Sequence, residues 1–84
     1  MSRFLDTHTV PGVNREAIFE ACKAMQAAPG VTFVACHYDL GEGKVFCLTE
    51  AESEDVVRQA HANISLPYDS IRQVKAITPS DLAR

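Results

Sequence analysis

Three histidines, three cysteines and a scatter of carboxylates carry the chemistry available to this chain of 84 residues. Asp6 and His8 stand two positions apart in a segment, Arg3 to Thr9, that alternates apolar and polar residues as a strand does. A strand would project both to one side, about 7 Å apart along its length. Further on, Gly41-Glu42-Gly43 separates two β-branched and aromatic runs, which is a hairpin signal. If the hairpin pivots on Glu42, His37 lies directly opposite Cys47. Opposed side chains have Cβ atoms about 4.5–5.5 Å apart. An imidazole nitrogen and a thiolate at that spacing can share one ion, with bonds near ~2.0–2.3 Å. Imidazole, thiolate and carboxylate together suit nickel, copper or zinc. Calcium and magnesium, which take oxygen ligands, are disfavoured.

Each of these residues also has a plainer reading. His37 would serve as a surface histidine near a hairpin. Cys47 would serve as a core thiol, since free cysteine is among the most buried residue types. Neither CxxC nor HExxH occurs. A Cys47–His37 nucleophilic pair lacks an oxyanion hole in the pattern. The glycine loop joins two strands and opens no helix, so it does not read as a phosphate cradle. By spacing alone His61 sits at the edge of a helical stripe, as a packing or surface histidine, on the face away from His8 and His37. Cys22 and Cys36 read as core.

The elements that must position these residues follow from the punctuation Pro11-Gly12, Pro29-Gly30, Gly41-Glu42-Gly43 and Pro67. Asn14 caps a first helix, and Val13 and Ile18 are spaced as a hydrophobic staple. Ile18, Cys22 and Met25 form its stripe. Val31 to Leu40 and Lys44 to Thr49 are strands. Ser53 caps a second helix, with Glu54 and Asp55 at its positive end and Val56, Val57, Ala60 and Ile64 on its apolar face. Ile71 to Ile77 is a last strand, and Thr78 to Arg84 a polar tail. The order β-α-β-β-α-β predicts an α+β, ferredoxin-like domain over residues 1–84, a four-stranded antiparallel sheet with two helices on one face.

Alternation groups Phe33, Ala35, His37 and Asp39 with Val45, Cys47 and Thr49. The other face, with Val34, Cys36, Tyr38, Phe46 and Leu48, is more continuously apolar and is expected under the helices. His37 and Cys47 would then lie on the bare sheet face, and a one-residue slip would reverse this. Phe33, Ala35 and Val45 make that bare face apolar, which predicts a homodimer through the sheet, a dimeric α+β barrel. A chain this short has a thin core, and a partner subunit would supplement it.

Composition narrows the function. Eight Lys and Arg face eleven Asp and Glu, for a net charge of −3, so the concentrated positive field that nucleic acid demands is missing. No apolar stretch approaches the ~20 residues of a membrane span. The beginning Met-Ser-Arg-Phe-Leu-Asp-Thr-His has no signal-peptide core. An odd number of cysteines does not suit a small disulfide scaffold. A cytoplasmic location is the expectation.

Phe4-Leu5-Asp6-Thr7-His8, the run Val45 to Glu50, and Val56 to His61 followed by Pro67 to Val74 resemble a family of small bacterial nickel-binding proteins, known largely as a domain of unknown function. The likeness spans nearly the whole chain. It implies a ferredoxin-like homodimer with a nickel site. It implies that His8 and Cys47 stand where the family keeps its histidine and cysteine, and that His61 matches a family histidine. The combined expectation is a non-enzymatic protein with metal-site residues Asp6, His8, His37, Cys47 and His61. It would serve nickel storage, resistance or sensing, with zinc or copper as other ions. The alternative is a small α+β barrel enzyme of monooxygenase or cyclase type. There Asp6, His8 and His37 would line an organic pocket and move protons.

Overall fold

Alternation in the first segment is realised as a strand whose even-numbered residues turn inward. The computed structural model describes residues 1–83. In β1 (Ser2–Thr9), Phe4, Asp6 and His8 are buried while Arg3, Leu5 and Thr7 are half-buried. Helix α1 (Arg15–Gln26) starts at Asn14, whose Oδ1 accepts the Ala17 N–H at 2.8 Å. That bond satisfies one of the donors a helix start leaves unpaired. Ile18 and Met25 are its buried residues. Strands β2 (Val31–Asp39) and β3 (Lys44–Ala51) form the hairpin. Helix α2 (Glu54–Asn63) is capped by Ser53, whose Oγ accepts the Val56 N–H. Strand β4 (Ser70–Val74) completes the sheet in the order β2-β3-β1-β4, every pair antiparallel.

The fold is the expected βαββαβ, with one addition. Where a longer last strand and a polar tail were expected, β4 ends at Val74 and a one-turn helix α3 (Pro79–Leu82) follows. Pro79 opens it, and Asp81 accepts the Thr78 N–H at 2.8 Å, a local pairing that needs no contact with the core. Arg84, the end of the expected tail, lies outside the described residues. Phe4, Ala51 and Val57 make a core cluster between sheet and α2, with Val31, Val56 and Ile71 packed against it. Among the described residues no helix is long and apolar enough to cross a membrane.

The hairpin corrects the expected register. Asp39 pairs with Lys44, so Leu40 joins the loop, which runs over four residues instead of three. Asp39 Oδ1 accepts the Glu42 N–H at 3.3 Å, and Gly43 takes φ +67°. A Cβ on Gly43 would sit 2.8 Å from the Val10 carbonyl oxygen. Glycine alone fits that left-handed position beside the incoming backbone. As a result Cys36, not His37, opposes Cys47, and His37 opposes Phe46.

A second irregularity completes the change. The register shifts between Phe33 and Ala35, leaving Val34 as the extra residue of a β-bulge. One extra residue flips side-chain parity along a strand. Val31 and Phe33 before the bulge, and Cys36 and Tyr38 after it, therefore share the side of Val45, Cys47 and Thr49. That side lies under the helices, because it is continuous with buried Phe4, Asp6 and His8. The bare face carries Leu5, Phe46, Leu48 and His37 instead, with Phe46 38% exposed.

Candidate metal centre

Asp6 is the centre of the site. It pairs across the sheet with Cys47 on one side and Ile71 on the other, and only 1% of it is exposed. A carboxylate so placed is costly unless paired. Burial raises its pKa, but hydrogen bonds from His61 and His8 and the charge on both rings outweigh that and hold it below the ordinary carboxylate value. Its Oδ2 takes both of those contacts, while Oδ1 has no hydrogen-bond partner among the described residues.

Each imidazole is oriented by a backbone carbonyl. His8 Nδ1 lies 2.8 Å from the Pro67 carbonyl oxygen, and His61 Nδ1 lies 2.8 Å from that of Val57, one turn earlier on α2. A carbonyl oxygen only accepts, so both Nδ1 atoms carry hydrogen. In each ring Nε2 is left to face Asp6 Oδ2, at 2.6 Å for His8 and 2.9 Å for His61. A neutral ring would bring a lone pair against a carboxylate. Stability of this contact calls for a cation, either a proton on each ring or a metal ion among them. Without metal, burial lowers the His8 pKa, but the hydrogen bonds to Asp6 and Pro67 and the carboxylate charge overcome it and raise it. The rings stack with centroids 5.6 Å apart, and Tyr68 packs edge-on to His61 at 5.2 Å.

One ligand atom from each of Asp6, His8 and Cys47 lies within 4.8 Å of the other two. Cys47 donates its S–H to Cys36 Sγ at 3.3 Å. That bond, then burial and the Asp6 charge, push the Cys47 thiol up. The same bond is the largest cause bringing Cys36 down to about 7. Burial, and after it the charge of Cys36, pushes the Cys22 thiol on α1 up to about 11. The thiolate is the metal ligand, so an ion at Cys47 would replace its proton.

Of the sequence-derived candidates, the structure brings Asp6, His8 and Cys47 together, sets His61 against Asp6 at 2.9 Å, and leaves His37 apart. His37 is exposed on the opposite face because the loop is one residue longer than expected. The expectation that α2 would carry His61 away from His8 is likewise corrected, since both meet at Asp6 under the helices. Cys36 and Cys22, read as core, border the site. What the sequence pattern missed was the fourth loop residue, Leu40, which sets Cys36 opposite Cys47; the bulge at Val34 then brings Phe33 to the same side. A cavity of about 250 Å³ opens beside these groups, lined among others by Cys22, Met25, Phe33 and Leu66.

No curated protein matches the chain. Among solved structures, SCO4226 from Streptomyces coelicolor A3(2) matches with a TM-score of 0.82 and 25% identity, over 92% of this chain and 100% of that one. The model of the family described as nickel responsive protein, SCO4226-like, matches residues 4–74. The match runs from Phe4 in β1 through the other three strands and both long helices, including Asp6, His8, Cys47 and His61, and the chain belongs to the SCO4226-like nickel responsive protein family.

Proposed function

We propose that the chain binds nickel through Asp6, His8, His61 and Cys47, as a non-enzymatic cytoplasmic homodimer that serves storage of, resistance to or sensing of the ion. One observation carries this reading. Two imidazoles, each pinned at Nδ1 by a backbone carbonyl, direct both Nε2 atoms at one buried carboxylate oxygen. Metal-bound histidines are oriented in this way, through the ring nitrogen that does not bind. Nitrogen, oxygen and sulfur donors suit borderline ions, zinc and copper as well as nickel. The unpartnered Asp6 Oδ1 supplies a further acceptor. The homodimer is supported by apolar Leu5, Phe46 and Leu48 on the bare face. Calorimetric nickel titration of untagged protein, repeated on His8→Ala, His61→Ala and Cys47→Ala, tests the site. Losses of tenfold or more are expected, and unchanged affinity in all three would overturn it.

The cavity favours a second reading. About 250 Å³ of largely apolar space beside Asp6 and His8 would admit a small organic molecule. In the α+β barrel enzyme expected as the alternative, these two groups would move protons. Nickel binding that is undisturbed by small apolar ligands, and unaccompanied by turnover, would set this reading aside.

A further inference from the structure

Cys36 and Cys47 face one another directly on β2 and β3, with their sulfurs in contact at 3.3 Å. Directly paired residues of antiparallel strands have Cα atoms about 4.5–5.5 Å apart. A disulfide spans Cα separations of about 4.4–6.8 Å. The two thiols can therefore be joined by side-chain rotation alone. Cys36 is also accessible. It stands on the edge strand and lines both the cavity beside Asp6 and a second of about 320 Å³ between α1 and β2. A small oxidant reaches it from either side.

We infer that Cys36 and Cys47 are an oxidation site for hydroperoxides, and that their disulfide withdraws Cys47 from the metal donors. The metal consequence rests on the nickel reading above, whereas the bond itself does not. The Cys36 thiolate attacks the terminal peroxide oxygen. The O–O bond breaks, leaving a sulfenic acid on Cys36 and, with a proton, water or an alcohol. Cys47 sulfur then attacks the Cys36 sulfur. The S–S bond forms, the S–O bond breaks, and the departing hydroxide takes the Cys47 proton as a second water. Two thiols lose two electrons, and one hydroperoxide gains them. An ion on Cys47 occupies the sulfur that would close the bond, so nickel and oxidation exclude each other.

The test treats reduced, metal-free protein with one equivalent of hydrogen peroxide, then alkylates it and maps its peptides. A Cys36–Cys47 linkage is expected, with Cys22 left as a thiol. Nickel affinity should fall at least a hundredfold and return on reduction. Nickel added first should slow the linkage at least tenfold. Cys36→Ser should keep nickel affinity within threefold and lose its sensitivity to peroxide, whereas Cys22→Ser should keep both properties. A Cys22–Cys36 bond, a bond between chains, or sulfinic acid with no Cys36–Cys47 linkage would overturn the proposal. Linkage with undiminished nickel affinity would overturn its metal consequence. Linkage in a protein that binds no nickel when reduced would sink the nickel reading alone and leave the oxidation site standing.

Discussion

His8 and His61 stack with ring centroids 5.6 Å apart and planes 24° from parallel, and their Nε2 atoms converge on one oxygen of Asp6. One comes from the first strand and the other from the second helix. The contact ties the two layers of the domain together at a polar point in the interior.

Asp6 should therefore matter to folding as well as to binding. Asp6→Ala leaves two oriented imidazoles without their acceptor. Breaking a buried charged pair by removing one partner costs about 3–5 kcal/mol. Urea denaturation of the metal-free variant should show a loss of that order, and calorimetry should show no measurable nickel binding.

The corrected register separates the histidines. His37→Ala should leave nickel affinity within twofold of the parent, because His37 opposes Phe46 on the bare face. A tenfold loss on calorimetric titration would contradict the structure.

The pH dependence of the metal-free protein has a definite sign. His8 is raised by folding, so its contribution is complete below about pH 6.5, the unfolded value, and fades as pH rises through its higher folded value. Asp6 is lowered, so its contribution is present above about pH 3.8 and fades as pH falls through its lower folded value. Metal-free stability at constant ionic strength should thus be greatest from about pH 4 to pH 6.5 and decline toward pH 9. Nickel requires the same ring without its second proton. The rise in melting temperature on adding nickel should accordingly widen between pH 6 and pH 8, as differential scanning fluorimetry would measure.

Gly43→Ala tests the hairpin. A Cβ there would meet the Val10 carbonyl at 2.8 Å, on a residue at φ +67°. Strained backbone of this kind costs about 1–3 kcal/mol. Equilibrium unfolding should register the loss with little change in the denaturant slope.

Much of this was readable from residue types. Asn14 and Ser53 announced the helix starts, and the alternation through Phe4, Asp6 and His8 announced β1. Element order announced the ferredoxin-like sheet, and residue type named Asp6, His8 and Cys47 as donors, with His37 among them. The hairpin was not readable to the residue. A loop of three and a loop of four both satisfy Gly41-Glu42-Gly43, and the difference moves His37 out and Cys36 in. The bulge at Val34 was hidden too, because a valine has no special backbone preference for it. His61 was placed by resemblance, since helical spacing fixes a residue's place on its own helix but not the strand that helix crosses.

The donors lie on the inner side of the sheet, and Leu5, Phe46 and Leu48 lie on the outer side. Each strand thus writes two messages in alternate letters. The outer letters can be exchanged, altering the exposed surface, while the inner ones keep the carboxylate, the imidazole and the thiol in register. A substitution at Leu5, Phe46 or Leu48 is thereby set apart, by the thickness of the sheet, from Asp6, His8 and Cys47.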